Sequence, residues 1–280
     1  MNCCSSAQCE GLQSLFGKKL AEDELRDYRA KGPSKTTAMM LAAIRAAMDV
    51  RGATLLDVGG GVGSVHHELL KSGLASAVDV DASSAYIAAS RQEAERLGHA
   101  GRLSHQFGNF VDLAAQIANA DVVALDRVIC CFPEVERMVG ESARKAQRIY
   151  ALVFPKSAWW MRLARSVANA FMRLIGHKYR FFVHPSELVH FLITSHGLRQ
   201  IYMGTRWMWQ VRVYAREGWM DSTSGAECGC ELTRKTPALE AKGFKLPHIV
   251  IVRSRVAKLL KKVAAVFERV PVCLHRYLLA

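Results

Sequence analysis

Nowhere in the 280 residues is there an uninterrupted apolar run of the ~18–20 residues that a membrane-crossing helix needs. No basic stretch followed by an apolar one opens the chain, so no secretory signal is expected and the expected compartment is the cytoplasm. The eight cysteines (Cys3, Cys4, Cys9, Cys130, Cys131, Cys228, Cys230 and Cys273) lack the repeated C-x-x-C spacing of a zinc ribbon, and adjacent pairs make poor structural disulfides. Free thiols in a reducing compartment are the expectation, and no metal-ligand set is expected. There is no internal repeat. Acidic residues are scarce: 25 Asp and Glu against 38 Lys and Arg leave a formal charge of +13. Such a surplus favours anionic partners without choosing among them.

What is present excludes disorder and a disulfide-stapled miniprotein. Half of the residues are hydrophobic and 22% are charged, enough for one large domain with or without an appendage. A helix is expected over 21–30, stopping near Gly32-Pro33, and another over the Ala- and Met-rich 36–48. Strands then alternate with helices. Strands are expected at 54–58, 76–80, 103–107, 121–125 and 149–154, and helices at 63–72, 83–98, 110–119 and 134–146. Short β-rich apolar runs separated by helices imply a doubly wound α/β sheet buried on both faces. A Trp- and Arg-bearing helical insert follows at 157–176, then a helix from Pro185-Ser186 to Gly197 and a closing pair of strands at 198–204 and 208–215. Residues 217–247 read as a linker. Over 248–270, apolar Val252, Val256, Leu259, Val263, Val266 and Val270 recur at helical spacing, with Arg253, Arg255, Lys258, Lys261 and Lys262 on the polar side.

The stretch that carries chemistry is LLDVGGGVGS, residues 55–64: a buried strand ending in Asp57, then Gly59, Gly61 and Gly63 ahead of a helix. Such glycines let the backbone turn tightly and approach a ligand, and helix-start amides face its polar groups. The alternation G-x-G-x-G differs from the G-x-G-x-x-G of dinucleotide enzymes. About twenty residues on, VDVDASSAY offers Asp79 and Asp81 as carboxylates for ribose hydroxyls. The next strand ends in FGNF, where Asn109 could pair with an adenine edge beside Phe110.

Together LLDVGGGVG, AVDVDASSAY, FGNF and DVVALDRVICCF, over about residues 50–216, resemble the class I S-adenosylmethionine-dependent methyltransferases. The resemblance implies S-adenosyl-L-methionine as cofactor and an α/β fold. That fold is a Rossmann-like seven-stranded methyltransferase sheet with helices on both faces, here with an N-terminal helical lid (1–49), a core (50–216), a linker (217–247) and a basic C-terminal tail (248–280). It places Asp57 near the methionine amino group and Gly59, Gly61 and Gly63 along methionine and ribose. Asp81, followed by Ser83 and Tyr86, matches the family's ribose carboxylate better than Asp79. Asn109 stands where the family often has Asp.

Methyl transfer from a sulfonium is an in-line displacement, so positioning matters more than a strong catalytic signature. Asp126 and Arg127 fall at the carboxyl end of the fourth strand, where ligands bind in open α/β sheets. The segment lacks the Asn-Pro-Pro-aromatic motif of nucleic-acid and protein amide methyltransferases, which disfavours nucleic acid. Segment order, with the insert after the fifth strand, resembles magnesium-protoporphyrin O-methyltransferases and implies a small, anionic or planar acceptor methylated on oxygen. His184 is the candidate general base; a turn or capping role is its plainer reading. Two rivals stand beside this. Cys130 and Cys131 would serve a metalloid or thiol methyltransferase, as cysteines do in the methyltransferases of trivalent arsenic. Alternatively, the domain binds cofactor without catalysis, anchored by its tail. The insert at 157–176 and the C-terminal helix are both candidates for peripheral membrane contact, and the oligomeric state is left open.

Overall fold

Seven short apolar segments find their partners in one sheet. The computed structural model describes residues 7–219. The tail helix over 248–270, the linker beyond residue 219, and Cys3 and Cys4 lie outside the described residues. Strands β1 (Thr54–Val58), β2 (Ser76–Asp81), β3 (Leu103–Phe107), β4 (Ala120–Asp126) and β5 (Ala146–Pro155) run parallel. Strands β6 (Leu198–Arg206) and β7 (Trp209–Arg216) complete the order β3-β2-β1-β4-β5-β7-β6, with β7 antiparallel to both of its neighbours. This is a Rossmann-like seven-stranded α/β sheet with helices on both faces, the architecture that the sequence resemblance implies. The central strands read as unbroken apolar runs because both faces are covered: Val122–Leu125 of β4 and Ile149–Phe154 of β5 have no exposed surface. β5 begins at Ala146, ahead of the apolar run, because Ala146 still pairs with Ala120 before a register shift.

Helices α3 (Lys35–Ala47), α4 (Ser64–Lys71) and α5 (Ser84–Leu97) cover one face, through Met40, Leu41, Ile44, Leu69, Leu70 and Ala94. Helices α6 (Phe110–Leu113), α7 (Val135–Lys145) and α9 (Ser186–Thr194) cover the other, through Phe110, Val135, Met138, Val139, Val189 and Ile193. The helix expected over 110–119 breaks after Leu113 into a 3-10 turn at Ala114–Gln116, which lets Ile117 enter the core ahead of β4.

The expected lid is redistributed. α3 is core, its Met40 and Ile44 fully buried against the sheet, so packing does not break at residue 49. Helix α2 (Lys18–Lys31) instead packs Ala21, Leu25 and Tyr28 on Val62 of the glycine turn and Tyr86 of α5. Helix α1 (Ala7–Leu15) was not expected from a mixed, polar stretch. Its Gly11 explains the docking: a Cβ there would stand 2.4 Å from the Tyr179 backbone nitrogen, so only glycine permits the contact. The insert forms α8 (Trp159–Leu174).

Parallel pairing puts the carboxyl ends of β1, β2 and β4 along one edge, with Asp57 level with Asp79 of β2 and Ala124 of β4. The glycine turn and the chain after β4 leave from that edge.

Candidate functional site

The turn between β1 and α4 is held from below. Gly59 donates its amide to the Val80 carbonyl at 2.7 Å, tying the turn to β2. A Cβ on Gly63 (φ +89°) would lie 2.3 Å from His66 Nε2 and 2.6 Å from the His67 ring. One on Gly60 would lie 2.5 Å from Asp79 Oδ1 and 2.9 Å from Asp57 Oδ2. Over Gly61 (φ +61°) the nearest atoms belong to the Tyr86 ring, at 3.7 Å, so a Cβ there would meet that ring at ordinary contact distance. Gly60 was not among the expected residues, because its demand comes from two carboxylates that only strand register brings beneath it.

Those carboxylates belong to a buried polar chain. His66 Nδ1 lies 2.8 Å from Asp57 Oδ2, His66 Nε2 3.0 Å from Ser90 Oγ, and Ser90 Oγ 2.9 Å from His105 Nε2. His67 Nδ1 meets His99 Nδ1 at 3.3 Å. Burial pushes His66 down to about 3 and His67 to about 2, so both rings are neutral at physiological pH. Burial, with the charge of Asp126 adding to it, raises Asp57 to about 8. With that carboxyl protonated, donors run from Asp57 through His66 and Ser90 to His105; once it ionises, every bond in the row reverses. Asp57 Oδ1 is buried without a partner. So are both oxygens of Asp79, with His105 Nε2 standing 3.8 Å off.

Asp81, at the end of β2, is 9% exposed and accepts the Gly61 amide at 3.0 Å and the Ser83 amide at 2.7 Å. Burial raises it to about 6. Of the two candidate ribose carboxylates, Asp81 lies at the turn's surface and Asp79 is sealed below. Asn109 spends its amide locally, accepting from Val111 N at 3.2 Å and donating to Asp112 at 2.9 Å. It caps α6 in this structure, and an adenine edge could be read only after a side-chain rotation. Phe110 is core, 2% exposed.

After β4, Asp126 and Arg127 meet α3. Arg127 Nε donates to Asp126 Oδ1 at 3.0 Å, and its Nη2 donates to Ser34 Oγ at 3.0 Å and Thr37 Oγ1 at 3.2 Å. Thr37 in turn donates to Asp126. Ser34 and Thr37 follow Gly32-Pro33, and Ser34 caps α3. Arg127 has φ +64°, a left-handed backbone that a non-glycine residue adopts at a cost and typically where function demands it. Its guanidinium also lies 5.9 Å from the Trp209 ring. Burial works against its charge, but Asp126 more than offsets that and holds it protonated. Glu24 of α2, which no sequence signal marks, hydrogen-bonds Tyr86 and lies within electrostatic reach of Arg127, Asp126 and Asp81; burial raises its carboxyl.

Beside them, the thiols of Cys130 and Cys131 are 3.8 Å apart, and Cys131 Sγ lies 3.3 Å from the Tyr179 hydroxyl. The thiol–thiol hydrogen bond splits the pair, raising Cys130 and lowering Cys131, an effect the Tyr179 hydroxyl reinforces. From α1, Gln8 donates to the carbonyls of Cys131 (2.9 Å) and Arg180 (3.0 Å). The ring of Phe16 lies between Tyr86, tilted at 5.7 Å, and Tyr179, edge-on at 6.1 Å. A row of aromatics thus runs from the glycine turn to the cysteines. His184 corrects the expectation of a base. Its Nε2 is engaged by the carbonyls of Ile129 (2.9 Å) and Phe132 (3.0 Å), and its ring stacks on Phe182. These contacts are those of a strut that holds the chain after β4.

Residues 56–148, from β1 to the first residues of β5, match the family described as methyltransferase domain. Over that span the chain carries a methyltransferase domain. Among curated relatives, ribosomal protein L11 methyltransferase of Edwardsiella ictaluri (strain 93-146) is 34% identical over 118 residues; the match spans 40% of this chain and 40% of that protein. Among solved structures, magnesium protoporphyrin IX methyltransferase of Synechocystis PCC 6803, crystallised with bound SAH, superposes with a TM-score of 0.59 at 19% identity, over 75% of this chain and 100% of that one. An O-methyltransferase family protein of Burkholderia thailandensis reaches 0.51 at 17% identity, over 68% and 59%.

The methyltransferase domain fits its cofactor by its own atoms. Asp57 Oδ1 lacks a partner that an ammonium could supply. Asp81 sits at the turn's surface, held by two amides of its own chain. Over Gly61 a Cβ would meet nothing closer than the Tyr86 ring at 3.7 Å.

Proposed function

We propose that this methyltransferase domain transfers a methyl group to a small anionic or planar acceptor, on oxygen in the first instance. The observation that carries the reading is the group at the end of β4: a charged Arg127 on a left-handed backbone, locked by Asp126, Ser34 and Thr37, with Glu24 within its electrostatic reach.

In this reading Asp57 takes the methionine ammonium, Asp81 the ribose hydroxyls, and the turn at Gly61 the close face of the ligand. When bound, S-adenosylmethionine supplies a methyl group on a sulfonium, whose departure as a neutral thioether needs no acid. Arg127 holds the acceptor's negative group by its charge and through Nη1, since Nε and Nη2 are engaged by Asp126, Ser34 and Thr37. Glu24, with its pKa raised by burial, receives the proton the acceptor's oxygen gives up. Phe16, Tyr86 and Tyr179 exclude water above the turn.

The test is an initial-rate screen of carboxylated and phenolic acceptors, planar ones included. Arg127→Ala should raise KM by about 10- to 100-fold with cofactor affinity unchanged, the loss of a charged hydrogen bond. Glu24→Gln should lower kcat by about 100-fold. A second reading, transfer to a metalloid or thiol, is favoured by the 3.8 Å Cys130–Cys131 pair and the lowered Cys131. Cys130→Ser with Cys131→Ser should leave oxygen methylation intact. Loss of turnover in that variant, with Arg127→Ala harmless, would replace the first reading by the second.

A pH dependence follows from the same carboxyls. Free Asp57 and Asp81, raised to about 8 and about 6, hold protons in part at neutral pH. A bound ammonium and ribose hydroxyls favour the ionised forms, so binding releases protons and affinity rises with pH between about 5 and 8. Calorimetric titration with S-adenosylmethionine at either end of that window checks it; a flat profile would contradict the assignment of these two residues.

A further inference from the structure

Helix α8 is amphipathic in an unusual sense: its solvent side is apolar. Met161, Ala164 and Met172 are buried, and Met161 packs with Val183, Met208 and Trp209. On the opposite side Trp159, Leu163, Val167 and Leu174, spaced i, i+4, i+8 and i+15, share one face and are 64%, 43%, 44% and 84% exposed; Ala170 lies among them. Ile175, just past the helix, is 44% exposed. Exposed Arg162 and Arg173 flank this stripe along one edge. From Lys156 to Arg180 the chain has six Lys and Arg (Lys156, Arg162, Arg165, Arg173, Lys178, Arg180) and no Asp or Glu.

We propose that the outward face of α8 docks this protein on an anionic lipid surface. The inference goes beyond the methyltransferase reading and does not depend on it. A face of Trp and Leu with arginines along its margin matches the boundary between acyl chains and headgroups. The ring and aliphatic side chains enter it, while the guanidinium groups meet lipid phosphates. Charge complementarity, joined to the apolar stripe, favours this occupant: the 25-residue segment carries six cations and no acid beside side chains suited to an acyl–headgroup boundary. The docking is peripheral, since no helix among the described residues is long and apolar enough to cross a membrane. The buried side of α8, opposite the docked face, packs with Trp209, whose ring lies under Arg127.

The experiment is flotation of the full chain with vesicles of phosphatidylcholine alone and with about one third phosphatidylglycerol. Wild type should float with the anionic vesicles and fade as salt rises. The combined Trp159→Ser, Leu163→Ser and Leu174→Ser variant should partition at least about tenfold less, because three exposed apolar side chains no longer leave water. Arg162→Gln with Arg173→Gln should lose the preference for anionic lipid. If the triple variant fails to fold, Leu174→Ser alone, at the helix end, should still cut partitioning severalfold. Failure of the wild type to float overturns the proposal, as does flotation unchanged in the triple variant, which would shift binding to the basic residues beyond 248. A wild-type dimer in vesicle-free buffer that the triple variant dissolves would also overturn it, and would make the face an interface between copies. Methyltransferase activity is read separately in detergent-free buffer, so its absence leaves this test intact.

Discussion

Asp81→Ala should raise the dissociation constant for S-adenosylmethionine at least about 100-fold while leaving the fold standing. The carboxylate sits at the turn's surface with two backbone amides on it, Gly61 at 3.0 Å and Ser83 at 2.7 Å. Two hydroxyl hydrogen bonds to an ionised acceptor, at ~1.5–3 kcal/mol each, account for that loss. Thermal stability should barely fall. Burial and the neighbouring Asp57 charge both oppose ionisation of Asp81, and removing the carboxyl relieves them as it forfeits the two amide bonds. Asp79→Ala is the matching control. Its oxygens are buried without partners beneath Gly60, so removing them should be neutral or stabilising and should weaken binding far less. Calorimetric titration beside a thermal melt reads both variants. Equal binding loss in the two would mean that the ribose is not held at Asp81.

Gly63→Ala should cost about 3–5 kcal/mol, a fall in Tm of roughly 10 °C, with binding lost as a consequence. The added methyl would need a φ of +89° and would stand 2.3 Å from His66 and 2.6 Å from His67. Neither ring can move cheaply: His66 is pinned by Asp57 and Ser90, and His67 meets His99. Gly61→Ala makes the opposite prediction. Its Cβ would find only the Tyr86 ring at 3.7 Å, so the cost is backbone strain at φ +61°, about 1–2 kcal/mol. That variant should stay folded and still fail to bind, because the methyl occupies the space above the turn. Similar Tm values for the two variants would show that the histidines beneath the turn are not rigid.

The contrast between these glycines shows where sequence reading stops. The pattern Asp57, Gly59, Gly61, Gly63 marks a ligand-binding turn, since a strand, a run of glycines and a helix start are local features. Gly60 and the histidines are invisible to it. His66 and His67 carry no ligand spacing, and their role appears only when the register of β1 and β2 sets Asp57 level with Asp79 over Ser90 and His105. His184 shows a related limit: a histidine before proline suggests either a base or a turn residue, and nothing local reveals the two carbonyls that Nε2 meets 52 and 55 residues away. Glu24 was missed because one carboxylate in a charged helix looks like any other.

Composition, periodicity and the glycine motif by themselves determined the α/β class, the strand positions, a ligand-binding turn and the amphipathic insert, because each follows from contacts between near neighbours in the chain. Only the tertiary structure decided that Asp81 keeps some exposure while Asp79 has none, that α3 is core while α2 packs on the turn, and that Ser34 and Thr37 gather around Arg127. It also turned the apolar stripe of α8 outward. Those outcomes depend on which faces the sheet buries, and burial is set by residues that meet across a hundred positions of chain.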